Sequence, residues 1–183
     1  MENTALIIID VQNDYFPNGK MALPGAVETG TIINTLLEGF RKKKFHVFHI
    51  QHEALQEGAG FFLPKTKGQE IHESVKPMAN ETVIKKHYPN SFHKTGLLED
   101  LKKKGVTTLV ITGMMTFMCV DATARAAKDL GFECILIDDA TAAPALEYKG
   151  ISCSAEQVKA AFTYALAYIS DRVTSSEEFL KEL

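Results

Sequence analysis

TLVITGMMTFMCVDATARAAKDLG, residues 108–131, decides the fold. It opens on a β-branched and aliphatic run, passes through Gly113-Met114-Met115-Thr116, continues into an Ala-rich stretch and ends at Gly131. That order reads as a buried strand, a tight turn and a helix closed by glycine. The helix is expected to run over residues 119–130, with Cys119 in its first turn. There the unpaired backbone N–H groups and the positive end of the helix dipole favour thiolate over thiol. The thiolate is the nucleophilic form, so Cys119 is the first candidate catalytic residue.

Working outward, the same alternation recurs. Residues 4–11 are almost all apolar and read as a strand buried on both faces. Residues 25–44 read as a helix, with Ile33, Leu36, Leu37 and Phe40 at helical spacing. Strands are expected over residues 45–50, 82–85, 107–112, 132–137 and 172–174, and further helices over 96–104 and 155–170. Residues 51–80 read as a long irregular segment, and a loop of that length in a compact domain is usually functional. Strands separated by helices imply right-handed crossovers. The expected architecture is a single α/β domain over residues 1–183, a three-layer sandwich with a mainly parallel central sheet flanked by helices.

In such sheets ligands bind at the carboxyl ends of the strands. Asp10 ends ALIII, Lys86 follows Val83-Ile84, and Cys119 follows the strand over 107–112. Each has a plain structural reading: a turn carboxylate, a surface lysine, a small buried hydrophobe. Their shared placement favours a joint role. A thiolate attacks a carbonyl carbon, a carboxylate accepts and returns the proton, and an ammonium holds the pair. The oxyanion that forms needs preorganised donors. The Cys119 N–H is one candidate, and a second must come from the turn over residues 113–116.

Bulk properties narrow the classes. The chain has 183 residues, is 45% hydrophobic and 23% charged, and carries a net charge of −3. That balance gives no electrostatic case for nucleic acid or an anionic membrane. Apolar stretches are too short for a membrane span, and no signal peptide is read at the N-terminus. Three cysteines without CxxC spacing fit a reducing cytosol, so a cytoplasmic location is expected. The six histidines form no HExxH pattern, and His49 and His52 lie three apart in a strand, on opposite faces. No metal and no cofactor are expected; the expected partner is a small-molecule substrate.

Three segments in order carry a family resemblance: ALIIIDVQNDYF, VIKKHYPNSFHKTGL, and TLVITGMMTFMCVDATARAAKDLGFECILIDDATAA. With them the chain resembles the isochorismatase-like cysteine hydrolases, which include nicotinamidases and ureidohydrolases. The resemblance implies a catalytic set of Asp10, Lys86 and Cys119. It selects Lys86 over Lys85, because the family lysine directly precedes the HYPNSF-like stretch. It implies a non-proline cis peptide between Met114 and Met115, with the Met115 and Cys119 amides as the oxyanion hole. It implies a homo-oligomer, dimer or tetramer, for which Gly58 to Leu63 is the expected contact. The metal-binding Asp-x-His element of nicotinamidases is replaced here by Gln51-His52-Glu53. Phe117 stands where many relatives carry histidine. Phe16, Phe62, Met114 and Phe117 are the residues expected on the pocket wall. The expected activity is hydrolysis of an amide or ureide C–N bond through an acyl-enzyme. The rival readings are vinyl ether hydrolysis and a non-catalytic thiol-sensing domain.

Overall fold

The structure is a computed structural model that describes residues 3–183. Its strands are β1 (Thr4–Ile9), β2 (His46–His52), β3 (Thr82–Lys86), β4 (Thr108–Met114), β5 (Glu133–Ala142), β6 (Leu146–Tyr148), β7 (Ile151–Cys153) and β8 (Arg172–Thr174). Its α-helices are α1 (Ala26–Lys43), α2 (Leu97–Lys103), α3 (Asp121–Asp129), α4 (Ala155–Ala167) and α5 (Ser176–Glu182). Six strands form one parallel sheet in the order β3-β2-β1-β4-β5-β8.

β1 lies at the centre, between β2 and β4, and all six of its residues are buried. Its side chains alternate between two cores, as the strand period of two demands. Leu6 and Ile8 face α1 and α5, joining Ile33, Leu36, Leu37, Phe40 and Phe179. Ala5, Ile7 and Ile9 face α2, α3 and α4, joining Leu97, Leu101, Ala124, Ala127 and Leu166. This is the three-layer sandwich read from the sequence. No helix among the described residues is long and apolar enough to cross a membrane.

Several boundaries differ from expectation. The helix expected from Cys119 begins as a π turn at Thr116–Val120, and α3 starts only at Asp121. Within that turn Val120 N–H donates to the Met115 carbonyl, five residues back, at 3.2 Å. β5 runs on to Ala142, so Asp138 and Asp139 lie within a strand. Asp139 accepts from both the N–H and the hydroxyl of Ser176, which fixes the start of α5. The antiparallel hairpin of β6 and β7 turns at Lys149 and Gly150, both at positive φ. Residues 51–80 are more ordered than a loop: β2 continues to His52, and 3₁₀ turns form at Lys67–Gln69 and Glu73–Val75.

The central strand ends set up the site. Gly113 has φ +118, and a Cβ there would collide with the Ile9 carbonyl. Glycine therefore lets β4 close on the end of β1 immediately before Asp10. Asp10 itself adopts a left-handed φ of 51°, a conformation aspartate tolerates better than most residues. Its N–H still pairs with Ile50 at 3.0 Å, so the strand end stays tied to β2 while the chain turns away.

Candidate active site

Three chain segments meet beyond these strand ends. Lys86, last residue of β3, pairs in register with His52 of β2. Its side chain is fully buried, whereas Lys85 points outward, as consecutive strand residues must. The Lys86 ammonium donates to Asp10 Oδ2 at 2.7 Å, lies 3.0 Å from His52 Nδ1, and donates to Cys119 Sγ at 3.2 Å. An ammonium has three protons, and these are its three acceptors. Asp10 Oδ1 is buried and has no partner among the described residues. One oxygen of that carboxylate is thus held, and the other is free to accept a proton.

Two side chains from the turn after β1 fix the surroundings. Gln12 is fully buried and clamps His52: its Oε1 accepts from His52 N–H at 2.7 Å, and its Nε2 donates to the His52 carbonyl at 2.9 Å. Asp14, also buried, accepts from Phe62 N–H at 2.6 Å and from Lys20 N–H at 3.1 Å. That anchors the segment that carries Phe61 and Phe62 over the site. Across the opening, Ser91 binds Thr123 of α3 through its hydroxyl at 2.8 Å and its N–H at 3.1 Å, holding the turn that carries His87 and Tyr88.

Between these segments lies a cavity of about 340 Å³ that reaches Cys119. Phe62 and Met115 stand on its wall, together with Tyr15, Phe61, His52 and Met118. Three of the expected wall residues do not. Phe16 turns inward and stacks on His72, with ring centroids 3.4 Å apart, because the 3₁₀ turn Asn13–Tyr15 brings Tyr15 to the site instead. Met114 is wholly buried beneath the sheet end. Phe117 sits in the π turn and packs edge-on against Phe162 of α4, centroids 5.8 Å apart. The Met114–Met115 peptide is cis.

The electrostatics correct one expectation. Cys119 is 7% exposed, and burial pushes its thiol pKa far above the ordinary value. The Asp10 carboxylate pushes the same way, and Lys86 offsets only part of this. That direction favours the thiol over the helix-activated thiolate expected from the sequence, and it calls for a base. Burial works against the Lys86 charge, but the Asp10 carboxylate and the hydrogen bonds to Asp10 and Cys119 hold its pKa above the usual lysine value. His52 is pushed down to about 4, by burial first and Lys86 second, so it is neutral near neutral pH. The Tyr15 hydroxyl is raised by burial and by the negative charge of its neighbours, and it keeps its proton.

A measurable consequence follows for alkylation. The rate at Cys119 should climb about tenfold per pH unit between roughly pH 7 and pH 9, since the thiolate fraction grows at every step below a raised pKa. A plateau inside that window would show a depressed pKa. Iodoacetamide should modify the exposed Cys153 before Cys119 and the fully buried Cys134 last, whereas an activated thiolate would put Cys119 ahead of both.

Donor atoms of Asp10, His52 and Cys119 all lie within 4.8 Å of one another, a spacing that suits a cation. The Lys86 ammonium occupies the point they share, at 2.7, 3.0 and 3.2 Å from them. A metal held by all three would have to displace it. A second β2 histidine, His49, is spent on Glu81 at 2.9 Å in a structural cluster with Arg41.

Comparison with known proteins bears on this geometry. The family model for the isochorismatase domain matches residues 4–167. An uncharacterized isochorismatase family protein of Bacillus subtilis is 47% identical over 97% of this chain and 99% of its own. Nicotinamidase 3 of Arabidopsis thaliana is 30% identical over 75% of this chain and 72% of its own. A crystal structure described as an isochorismatase hydrolase from Oleispira antarctica superposes with a TM-score of 0.94 at 43% identity, covering 98% of this chain and 97% of that one.

Proposed function

Since the chain belongs to the isochorismatase family of hydrolases, we propose that it cleaves a non-peptide C–N bond, of amide or ureide type, in a small molecule through a covalent acyl-enzyme on Cys119. The observation that carries this reading is the convergence of a buried carboxylate with one free oxygen and a buried ammonium on the thiol of Cys119, which itself lines the cavity. The amide chemistry named in the nicotinamidase relative supports the choice of bond.

Asp10 takes the Cys119 proton as sulfur attacks the carbonyl carbon, forming a C–S bond and an oxyanion. The Met115 and Cys119 amides are the donors assigned to that oxyanion. Collapse breaks the C–N bond, and Asp10 returns the proton to the leaving nitrogen. Asp10 then deprotonates a water that hydrolyses the thioester, and sulfur leaves with a proton. Lys86 stays charged throughout. It holds Asp10 and stabilises the sulfur as negative charge develops on it.

A panel of primary amides, ureides and vinyl ethers tests the assignment, with ammonia release read for the first two and the carbonyl product for the vinyl ethers. Nitrogen release from at least one amide or ureide is expected, and cleavage of vinyl ethers alone would replace it. Because the Lys86 ammonium fills the candidate cation position, turnover should survive dipicolinate treatment within about twofold. Loss on chelation that zinc, iron or manganese restores would require a metal-dependent mechanism. We also propose that copies of the chain associate. Phe62 is already buried against Tyr15 within one chain, so Gly58 to Leu63 would contribute to such a contact mainly through Leu63, 40% exposed.

A further inference from the structure

We propose that the Cys119 cavity selects an uncharged amide or ureide bearing a planar apolar or aromatic group, with Tyr15, His52 and His87 reading its polar edge. This rests on the C–N hydrolase reading and narrows it to a substrate class. The wall is built mainly from flat or flexible apolar groups: Phe61, Phe62, Pro89, Met115 and Met118. Phe62 meets Tyr15 edge-on at 4.6 Å and Phe61 edge-on at 4.9 Å, so the rings brace one another. Rigid aromatic walls of this kind suit a planar guest.

Beside Gln56 and Tyr88, three polar side chains on that wall have assignable roles. His52 Nδ1 faces the Lys86 ammonium, which can only donate, so the proton of the neutral ring lies on Nε2. His87 Nδ1 lies 2.8 Å from the Glu53 carbonyl oxygen, which can only accept, so its proton lies on Nδ1 and Nε2 carries a lone pair when the ring is neutral. Among the described residues neither Nε2 atom has a hydrogen-bond partner, and both rings line the cavity. Tyr15 adds a hydroxyl that likewise has no partner there. A donor on His52, the acceptor that the neutral His87 ring presents and the Tyr15 hydroxyl match the N–H and C=O groups of an amide or ureide.

Charge argues for the exclusion. No Asp, Glu, Lys or Arg lies on the wall among the described residues. Lys86 lies buried beside Cys119, off the wall, and all three of its protons are spent. Lys94 is held over the Tyr88 ring, 5.3 Å from its centroid, and does not line the cavity. A substrate carboxylate would therefore lose its hydration and meet no Lys or Arg on the wall, which is a severe cost.

The test compares matched pairs on the full chain by ammonia release: benzamide with its meta-carboxylate, and phenylurea with its meta-carboxylate. The neutral member should show kcat/KM at least about 100-fold higher. Equal or faster turnover of the carboxylates would overturn the inference and leave C–N hydrolysis standing. If no compound is hydrolysed, the C–N reading has failed for this class, and binding to Cys119→Ala by calorimetry decides the inference separately. Tighter binding of the neutral members supports it; preference for the carboxylates, or binding of neither, overturns it. As a positive control on cause, Gln56→Arg places a cation on the cavity rim and should narrow the ratio at least about tenfold. Tyr15→Phe should lower kcat/KM for the neutral member about tenfold, chiefly through KM; a change confined to the carboxylates would count against the assigned role.

Discussion

Cys119→Ala is expected to reduce C–N hydrolysis by at least about 10⁴-fold, because it removes the atom to which the acyl group is transferred. Stability should change little. The thiol is small and, although it belongs to the core on the α3 side, it borders the cavity, so a loss of about 1 kcal/mol is the expected scale. Removing the thiol also frees one Lys86 proton, yet Asp10 and His52 still hold the other two. Kinetics and a denaturation midpoint measured on the same preparation separate the outcomes. A variant that folds normally and retains more than about a hundredth of wild-type kcat would rule out nucleophilic catalysis by this residue.

Lys86→Met should fail in both respects. The ammonium lies wholly buried, 2.7 Å from a wholly buried carboxylate. Removing it leaves Asp10 charged without a partner, a change that typically costs about 3–5 kcal/mol. Activity should fall at least about 100-fold as well, since neither the base nor the developing thiolate is held in place. A double variant keeps the two effects apart. Asp10→Asn combined with Lys86→Met removes both charges, so most of the stability should return while activity stays absent. Lys85→Ala, one residue earlier on the exposed side of β3, should alter kcat only about twofold. A dead Lys85→Ala beside a nearly normal Lys86→Ala would place the register, and the site with it, on the wrong side of the strand.

The reach of the sequence depended on what kind of signal each residue carried. β1 and β4 were legible because a strand covered on both faces must be continuously apolar, and Asp10 was legible as the polar residue that ends such a run. The loop aromatics were not. Tyr15 and Phe16 are adjacent and without periodicity, and only the 3₁₀ turn at Asn13–Tyr15 decides which faces the cavity. The helix expected from Cys119 missed the π turn because composition does not distinguish five-residue from four-residue backbone bonding. Burial of the thiol, which reversed the direction of its pKa, depends on Tyr15 and on the segment carrying Phe61 and Phe62, and those are brought in from distant sequence. The hairpin of β6 and β7 did have a local signal: Lys149-Gly150 between LEY and ISC is a two-residue turn with both φ values positive. His52 had none, since its part comes from the Gln12 clamp and from its pairing with Lys86 across two strands.

Hydroxylamine trapping probes the covalent step most directly. A thioester on Cys119 can be opened by hydroxylamine in competition with water, so wild-type protein turning over a neutral aromatic amide should form the hydroxamate alongside the acid. The ratio of the two should rise in proportion to hydroxylamine concentration, and Cys119→Ala should form neither above the uncatalysed rate. Acid as the sole product at every hydroxylamine concentration, with turnover otherwise undiminished, would mean that water attacks the substrate directly and that no acyl-enzyme forms.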